Sequence, residues 1–153
     1  MLKISDEYLY GFTDAEGCFY VGIVPAKQIK LKWQVIPFFK ISQNPKGKIV
    51  LEQFKSRLHC GYIKRNDTEN SKDNSLAFVV RDLKNLTKFV VPFLEGKLTI
   101  KSVELAKFKK ILSLMLLKKH LTKTGLIEII DIAYSMNTTK RKVPKKILLK
   151  HIG

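Results

Sequence analysis

Residues 9–17, which read LYGFTDAEG, lie where one kind of sequence pattern gives way to another. Ser5 is a typical helix N-cap, and the two acidic residues after it suit the positive end of a helix dipole. Gly17 is a plausible end of this helix, because helices commonly stop at glycine. The sequence therefore predicts a helix over 5–15 that ends within this stretch.

An alternating pattern begins at residue 18. Phe19, Val21 and Ile23 would share one face of a strand, and the residues between them the other face. After the turn at 25–28, a second alternating run over 30–42 predicts the other half of a long hairpin. One face of this hairpin carries several small or polar residues, so it is expected to remain open.

The rest of the chain continues the mixture of helices and hairpins. Residues 44–47 predict a turn, and residues 48–58 an amphipathic helix. This helix is expected to bury Ile49, Leu51, Phe54 and Leu58. A second hairpin over 61–65 and 75–81 follows, and then two or three helices at about 83–94, 99–119 and 123–136. The order α-β-β-α-β-β-α-α predicts an α+β fold with an antiparallel sheet and helices on one face. We expect one domain over 1–137 and a basic extension over 138–153.

The charge balance points to a polyanionic partner. Among 153 residues, 29 Lys and Arg stand against 13 Asp and Glu, a net charge of +16. Nucleic acid or an anionic membrane surface would neutralise such an excess. No apolar run approaches the roughly 20 residues needed to cross a bilayer, so we expect nucleic acid and no membrane partner.

Other chemistries find little support in the sequence. Cys18 and Cys60 are far apart, which predicts neither a zinc cluster nor a disulfide framework and favours a reducing, intracellular compartment. The three histidines are scattered, and no glycine-rich phosphate loop is present. Acidic residues by positions 6 and 7 argue against a signal peptide. The Lys- and Ile-rich composition hints at an organelle or a prokaryote.

The stretch 9–17 resembles the LAGLIDADG signature of homing endonucleases. Seven of its nine positions are identical or conservative, whereas Tyr10 and Thr13 depart at positions usually occupied by Ala and an aliphatic residue. The resemblance continues through both hairpins to the last long helix. It implies a saddle-shaped sheet and an intron-encoded enzyme. Such an enzyme hydrolyses one phosphodiester on each strand of DNA and leaves 3′ overhangs.

The motif helix also predicts a homodimer. Gly11 and Ala15 lie four residues apart on one helix face, where small side chains let a second helix approach closely. The site of the family needs two motif helices, and only one motif occurs in the chain, so the resemblance implies that the second helix comes from another copy. The expected dimer interface consists of Gly11, Phe12, Asp14 and Ala15. Two packed helices would bring two carboxylates together, which suits Mg²⁺, with Mn²⁺ as a substitute.

The resemblance implies roles for individual residues. Glu16, with the backbone carbonyl of Gly17, would hold the metal, and Asp14 would have a structural role at the motif helix. Gln43 and Lys101 match residues that order solvent around the scissile phosphate. Without the resemblance, Glu16 would be an ordinary acid at a helix end. Gln43 would be a solvated glutamine at a strand end, and Lys101 one of many surface lysines. Some relatives have a basic residue at the position that matches Gly47 of this chain. Lys46 or Lys48 could take its place here.

The open faces of the hairpins are expected to read DNA, because a two-stranded ribbon fits the major groove. The matching positions are Tyr20, Gly22, Val24, Gln28, Lys30, Lys32, Gln34, Ile36 and Lys40, with Tyr62, Lys64, Asn66, Asn74 and Leu76 from the second hairpin. Lys140, Arg141 and Lys142 match a basic segment that contacts phosphates.

Three alternatives stay open. A maturase-like relative would bind its intron RNA, and a regulator would bind DNA without cutting it. The third alternative, which does not depend on the resemblance, is a basic structural RNA-binding protein of the ribosomal type. Metal-dependent cleavage of both DNA strands would exclude that last class.

Overall fold

The computed structural model describes residues 2–137 and 141–152. Its elements follow in chain order: α1 Asp6–Glu16, β1 Gly17–Pro25, β2 Trp33–Gln43, α2 Lys48–Leu58, β3 Tyr62–Arg65, β4 Leu76–Val80, α3 Leu83–Asn85, α4 Val91–Leu94, α5 Ser102–Leu116, α6 Lys123–Tyr134 and α7 Lys145–Lys150. A π-helical turn, Leu86–Val90, joins α3 to α4. Among these described residues, no helix is long and apolar enough to cross a membrane.

The four strands form one antiparallel sheet in the order β1-β2-β4-β3. Phe19, Phe39 and Phe78 are fully buried on one face. Phe54 of α2 stacks on Phe78 at 6.1 Å between ring centroids, and Phe108 of α5 lies 5.3 Å from Phe19. The helices therefore cover one face of the sheet, which confirms the predicted α+β architecture.

Local sequence signals set the first elements of the chain. The Ser5 hydroxyl accepts a hydrogen bond from the backbone N–H of Tyr8 at 3.2 Å, the contact expected of an N-cap. β1 follows α1 with no residue between them, and its alternation is the one predicted. The bounds of α2 also match the prediction, although Val50 is buried in place of Ile49, which is 39% exposed.

The predicted boundaries differ most from the structure at three points. Residues 30–32 lie in the hairpin turn, because Lys32 takes a left-handed φ of 69° and β2 begins only at Trp33. Residues 83–94 are interrupted by the π-helical turn just before Pro92, which has no backbone N–H to donate. Residues 99–101 form a loop before α5 instead of its first turn.

The last described segment packs onto the hairpin. Leu148 of α7 is fully buried, and the indole N–H of Trp33 donates to the carbonyl of His151 at 3.1 Å. This hydrogen bond joins residues 118 positions apart. The C-terminal segment therefore supports the β1–β2 hairpin near its tip.

Candidate active site and nucleic-acid interface

Glu16 lies at the point where the first helix enters the sheet. The backbone N–H of Gly17 donates to the carbonyl of Thr13 and so closes the last turn of α1. A Cβ added to Gly17 would lie 2.7 Å from that carbonyl oxygen, closer than real contacts allow. Glycine at position 17 therefore lets helix and strand join without a loop. The Glu16 side chain is exposed at this junction.

Asp14, two residues earlier, is engaged within the chain. Its carboxylate accepts hydrogen bonds from the backbone N–H groups of Thr99 at 3.1 Å, Ile100 at 2.9 Å and Lys101 at 2.9 Å. Burial raises the pKa of Asp14, but these three donors and the nearby Lys101 charge outweigh it and hold the pKa below the ordinary value. Asp14 thus anchors the loop before α5 to the motif helix.

Lys101 reaches the same helix end as Glu16. Its ammonium group donates to the backbone carbonyl of Asp14 at 2.7 Å. Burial raises the pKa of the Cys18 thiol, and the charges of Lys40 and Lys101 partly offset that effect. A positive charge is therefore held beside the junction of α1 and β1.

Gln43 is the last residue of β2, at the end of the sheet where α1 terminates. Gly17 pairs with Ile41, so Gln43 lies two residues beyond that pair. A Cβ added to Gly47 would lie 2.7–2.8 Å from Gln43 side-chain atoms, so glycine at 47 leaves room for them. Of the flanking lysines, Lys46 is exposed and Lys48 pairs weakly with Glu52 at 3.8 Å.

Two departures from the motif are explained by packing. Thr13 is fully buried, yet its hydroxyl donates to the carbonyl of Leu9 at 2.8 Å, so no polar group is left unsatisfied. The Tyr10 ring packs against Phe93 at 4.8 Å between centroids, and the Lys97 ammonium lies 5.7 Å from its centre. The larger side chain at position 10 therefore fits against α4.

The exposed face of α1 carries two small residues beside Tyr8, which is 52% exposed. Gly11 and Ala15 are exposed, and a Cβ added to Gly11 would meet no atom within 4 Å. Of the other two residues predicted at a dimer interface, Phe12 is half-buried against Phe54 at 6.2 Å and Asp14 holds the 99–101 loop. Gly11 and Ala15 thus leave space for another helix, while Phe12 and Asp14 flank it.

The face of the sheet opposite the helices, here termed the open face, carries most of the predicted reading positions. Cross-strand pairs on it are Cys18–Lys40, Tyr20–Phe38, Gly22–Ile36 and Val24–Gln34, and these residues are half-buried or exposed. Tyr62 and Lys64 extend the row, since their partners Val79 and Ala77 pair with Lys40 and Ser42. Phe38 and Ser42 were absent from the predicted set, although strand alternation alone would have placed them there.

Leu76 is the exception on the second hairpin. It pairs with Gln43 and Arg65, on the same side of β4 as Phe78, and packs partly against the core. The prediction that Leu76 belongs to the open face was wrong, because the strand begins at 76 with an inward residue. Asn66 and Asn74 lie in the connecting loop, and the Asn66 N–H donates to Ser75 at 2.9 Å.

Gln28, Lys30 and Lys32 project from the tip of the first hairpin. All three are exposed, and the Lys32 ammonium donates to the carbonyl of Lys27 at 3.2 Å. These side chains lie beyond the paired part of the ribbon, which ends at the pair Pro25–Trp33. They therefore lie at the outer end of the ribbon.

In the basic segment 140–142, the two residues that the structure describes differ in their surroundings. Lys140 lies outside the described residues, and Lys142 is exposed. Arg141 is half-buried and donates to the carbonyls of Val21 at 2.7 Å and Ala133 at 2.9 Å. Two neighbours in sequence thus have different surroundings.

A family model for LAGLIDADG endonucleases matches residues 9–112, which include the motif helix, both hairpins and most of α5. The chain belongs to the LAGLIDADG endonuclease family. The match begins at the first residue of the stretch whose helix ends in Glu16. It confirms the family expected from that stretch and covers Gln43 and Lys101.

Individual members of the family resemble the chain over nearly its whole length. The homing endonuclease I-TnaI is 35% identical, with a TM-score of 0.87 over 97% of this chain and 98% of its own. I-SmaMI, bound to an uncleaved DNA target in the presence of calcium ions, is 30% identical, with a TM-score of 0.82 over 92% of this chain and 47% of its own. A probable intron-encoded endonuclease of Neurospora crassa is 33% identical over 97% of this chain, which spans 34% of that relative's length.

Proposed function

We propose that the chain is a metal-dependent homing endonuclease that acts as a homodimer and cuts both strands of a long, near-palindromic DNA site. The observation that carries this proposal is the exposed Glu16 carboxylate. It stands at the end of the motif helix where β1 begins, two residues after Asp14, whose backbone carbonyl accepts a hydrogen bond from the Lys101 ammonium. A carboxylate and an ammonium at this end of the sheet, in a chain of net charge +16, suit hydrolysis of a bound phosphodiester.

The open face would lie in the major groove of the duplex, whose width admits a two-stranded ribbon. Gln34, Lys40 and Lys64 supply hydrogen-bonding groups for base edges, while Tyr20, Val24 and Ile36 supply apolar contacts. Gln28, Lys30 and Lys32 at the tip reach the outer end of each half-site. The net charge of +16 favours phosphate contacts along both flanks.

The donors at the end of α1 fit a hard divalent cation such as Mg²⁺ or Mn²⁺. The Glu16 carboxylate and the neighbouring Gly17 carbonyl supply oxygen, the donor that Mg²⁺ prefers. Within residues 2–137 and 141–152, no group of three or more histidine, cysteine or acidic side chains is placed to hold a metal. In the proposed dimer, the second copy would supply further oxygen ligands. When bound, the metal supplies an activated water and stabilises the leaving oxygen.

Lys101 and Gln43 would act on the scissile phosphate from two sides. The Lys101 ammonium uses one donor on the Asp14 carbonyl, which leaves two for a phosphate oxygen or ordered water. It thereby stabilises negative charge that builds on the phosphate. Gln43 orients water through its side-chain amide at the end of β2.

A second copy would complete the proposed site through the exposed face of α1. Gly11 and Ala15 would pack against the same residues of the partner, which brings two Glu16 carboxylates together. Such an isologous interface requires a DNA site with approximate two-fold symmetry. Each ribbon covers about one duplex turn, roughly 10 bp, and cleavage leaves 3′ overhangs. A mass twice 17.6 kDa at micromolar concentration is expected, and a mass of 17.6 kDa would contradict the dimer.

The test of the activity is cleavage of a plasmid library that carries long randomised inserts, with Mg²⁺ or with EDTA. We expect cuts only with Mg²⁺, at one near-palindromic sequence, with 3′ overhangs in the recovered ends. Tight duplex binding with no cutting would instead support a regulator. Preference for structured RNA over duplex DNA, without cutting, would support a maturase, a role that the intron-encoded relatives make relevant.

A further inference from the structure

Side chains from the C-terminal segment occupy the free edge of β1. β1 is an edge strand, so the carbonyls of Phe19 and Val21 have no neighbouring strand to bind. The Asn137 amide donates to Phe19 at 2.9 Å and the Arg141 guanidinium to Val21 at 2.7 Å. Residues that follow α6 therefore cap the edge at two alternate carbonyls, one device that protects edge strands.

Arg141 also holds two aromatic rings. Its guanidinium carbon lies 4.5 Å from the centre of the Tyr20 ring and 4.6 Å from that of Tyr134. A second guanidinium nitrogen donates to the carbonyl of Ala133 at 2.9 Å. The planar guanidinium thus combines ring contacts with two hydrogen bonds, which a lysine ammonium cannot reproduce.

The Tyr20 ring belongs to the open face. It packs against its cross-strand partner Phe38 at 5.2 Å between centroids, while Phe19 and Val21 on either side of it are buried on the helix face. The Tyr134 hydroxyl donates to the carbonyl of Val143 at 2.6 Å, which fixes the other ring. Contacts therefore run without a gap from Tyr134 through Arg141 and Tyr20 to Phe38.

We propose that Arg141 is a positioning residue for DNA recognition: it fixes the Tyr20 ring on the open face and so sets the base preference beneath that ring, without binding a phosphate itself. The proposal rests on the proposed function, since it requires the open face to bind duplex DNA. Transfer of the guanidinium to a phosphate would leave the Val21 and Ala133 carbonyls without this donor and separate the two rings. Lys142, exposed and next in sequence, is free to bind phosphate instead.

The first test is the salt dependence of binding to a fluorescein-labelled 40-bp duplex of mixed sequence. Removal of one phosphate contact lowers the slope of log affinity against log salt by about 0.9. The variants are Arg141→Met and, as the matched control that removes the same charge, Lys142→Met. We expect the slope to fall in Lys142→Met and to keep its wild-type value in Arg141→Met. A fall of about 0.9 in Arg141→Met would overturn the proposal.

The second test is base preference on the cleavage site recovered from the library. Every single base-pair change is scored for wild type, Arg141→Lys, Tyr20→Leu and Lys142→Met. A well-made base contact discriminates by roughly 5- to 150-fold. We expect Arg141→Lys and Tyr20→Leu to lose discrimination at the same one or two base pairs of each half-site. We expect Lys142→Met to keep it. Retained discrimination in Arg141→Lys would overturn the proposal.

Folding and function are separated by two further measurements. Signals of ¹³C-labelled tyrosine rings should shift for Tyr20 and Tyr134 in Arg141→Lys, while those of Tyr62, remote from Arg141 in the sheet order, stay unchanged. Unchanged Tyr20 signals in Arg141→Lys would overturn the proposal, whatever the cleavage activity of that variant. Failure of the wild-type protein to bind any duplex would overturn the proposed function, and this proposal with it.

Discussion

Phe38 and Phe39 are neighbours on β2, yet their surroundings differ completely. Phe39 is fully buried between Phe19, at 5.2 Å, and Phe78, at 6.4 Å between centroids. Phe38 is half-buried and touches Tyr20 on the open face. One alternating pattern thus produces a face that holds the fold together and a face that remains available to a partner. Substitutions on the buried face should therefore change stability, and substitutions on the open face should change DNA recognition.

The largest stability difference is expected between alanine variants of these two residues. Phe39→Ala leaves a cavity in the core and should lower the free energy of unfolding by about 3–5 kcal/mol. Phe38→Ala loses mainly a cross-strand pair, worth about 0.2–1 kcal/mol, and should weaken DNA binding instead. Urea denaturation of both variants, with binding to the labelled duplex, measures the contrast. Equal losses of stability would show that the two faces do not differ as described.

Two glycines of the motif, Gly11 within α1 and Gly17 at its C-terminal end, provide a smaller contrast. Gly17→Ala places a methyl group 2.7 Å from the Thr13 carbonyl and should cost about 1–3 kcal/mol. Gly11→Ala meets no neighbour and should stabilise the dissociated chain by about 0.5–1 kcal/mol. In the proposed dimer the added methyl should also raise the dissociation constant. Unfolding and sedimentation of both variants test this, and a similar destabilisation in each would contradict it.

Asp14 of the motif gives the smallest predicted difference in stability. Asp14→Asn removes a charged acceptor from three backbone N–H groups at the start of α5, a loss of about 0.5–2 kcal/mol by analogy with helix caps. Because the pKa of Asp14 is lowered by folding, its contribution is complete above the ordinary aspartate pKa. It is lost as the pH falls through the lowered value. Unfolding measured from neutral to acidic pH should show the variant and wild type converging in acid, and a constant difference would argue against this role.

Much of the fold was predictable because its signals are local. The N-cap at Ser5, the alternation of β1 and the bounds of α2 each depend on residues within one element. The open face followed from the same alternation, and only the first residue of β4 was assigned to the wrong side. The resemblance to the family placed Glu16, Gln43 and Lys101 as candidates, and the structure brings them to one end of the sheet.

What the sequence did not predict depends on residues distant in the chain. The loop at 99–101 replaces the first turn of a helix because Asp14, 85 to 87 positions earlier, accepts its N–H groups. Arg141 was expected to bind phosphate, since nothing near it in sequence predicts that its guanidinium meets Tyr20. The count of positive charges indicates a nucleic-acid partner but does not assign each charge to DNA or to the fold.

The central claim is that the exposed Glu16 carboxylate supports cleavage while the open face binds DNA. The most direct test is Glu16→Gln on the recovered site, with affinity measured in Ca²⁺ and single-turnover cleavage in Mg²⁺. In the proposed site Glu16 holds the metal, which supplies several kcal/mol of charge stabilisation, so the cleavage rate of the variant should fall by about 10²–10³-fold. The affinity should change little. Cleavage at the wild-type rate would contradict the account and leave Glu16 as an ordinary acid at a helix end.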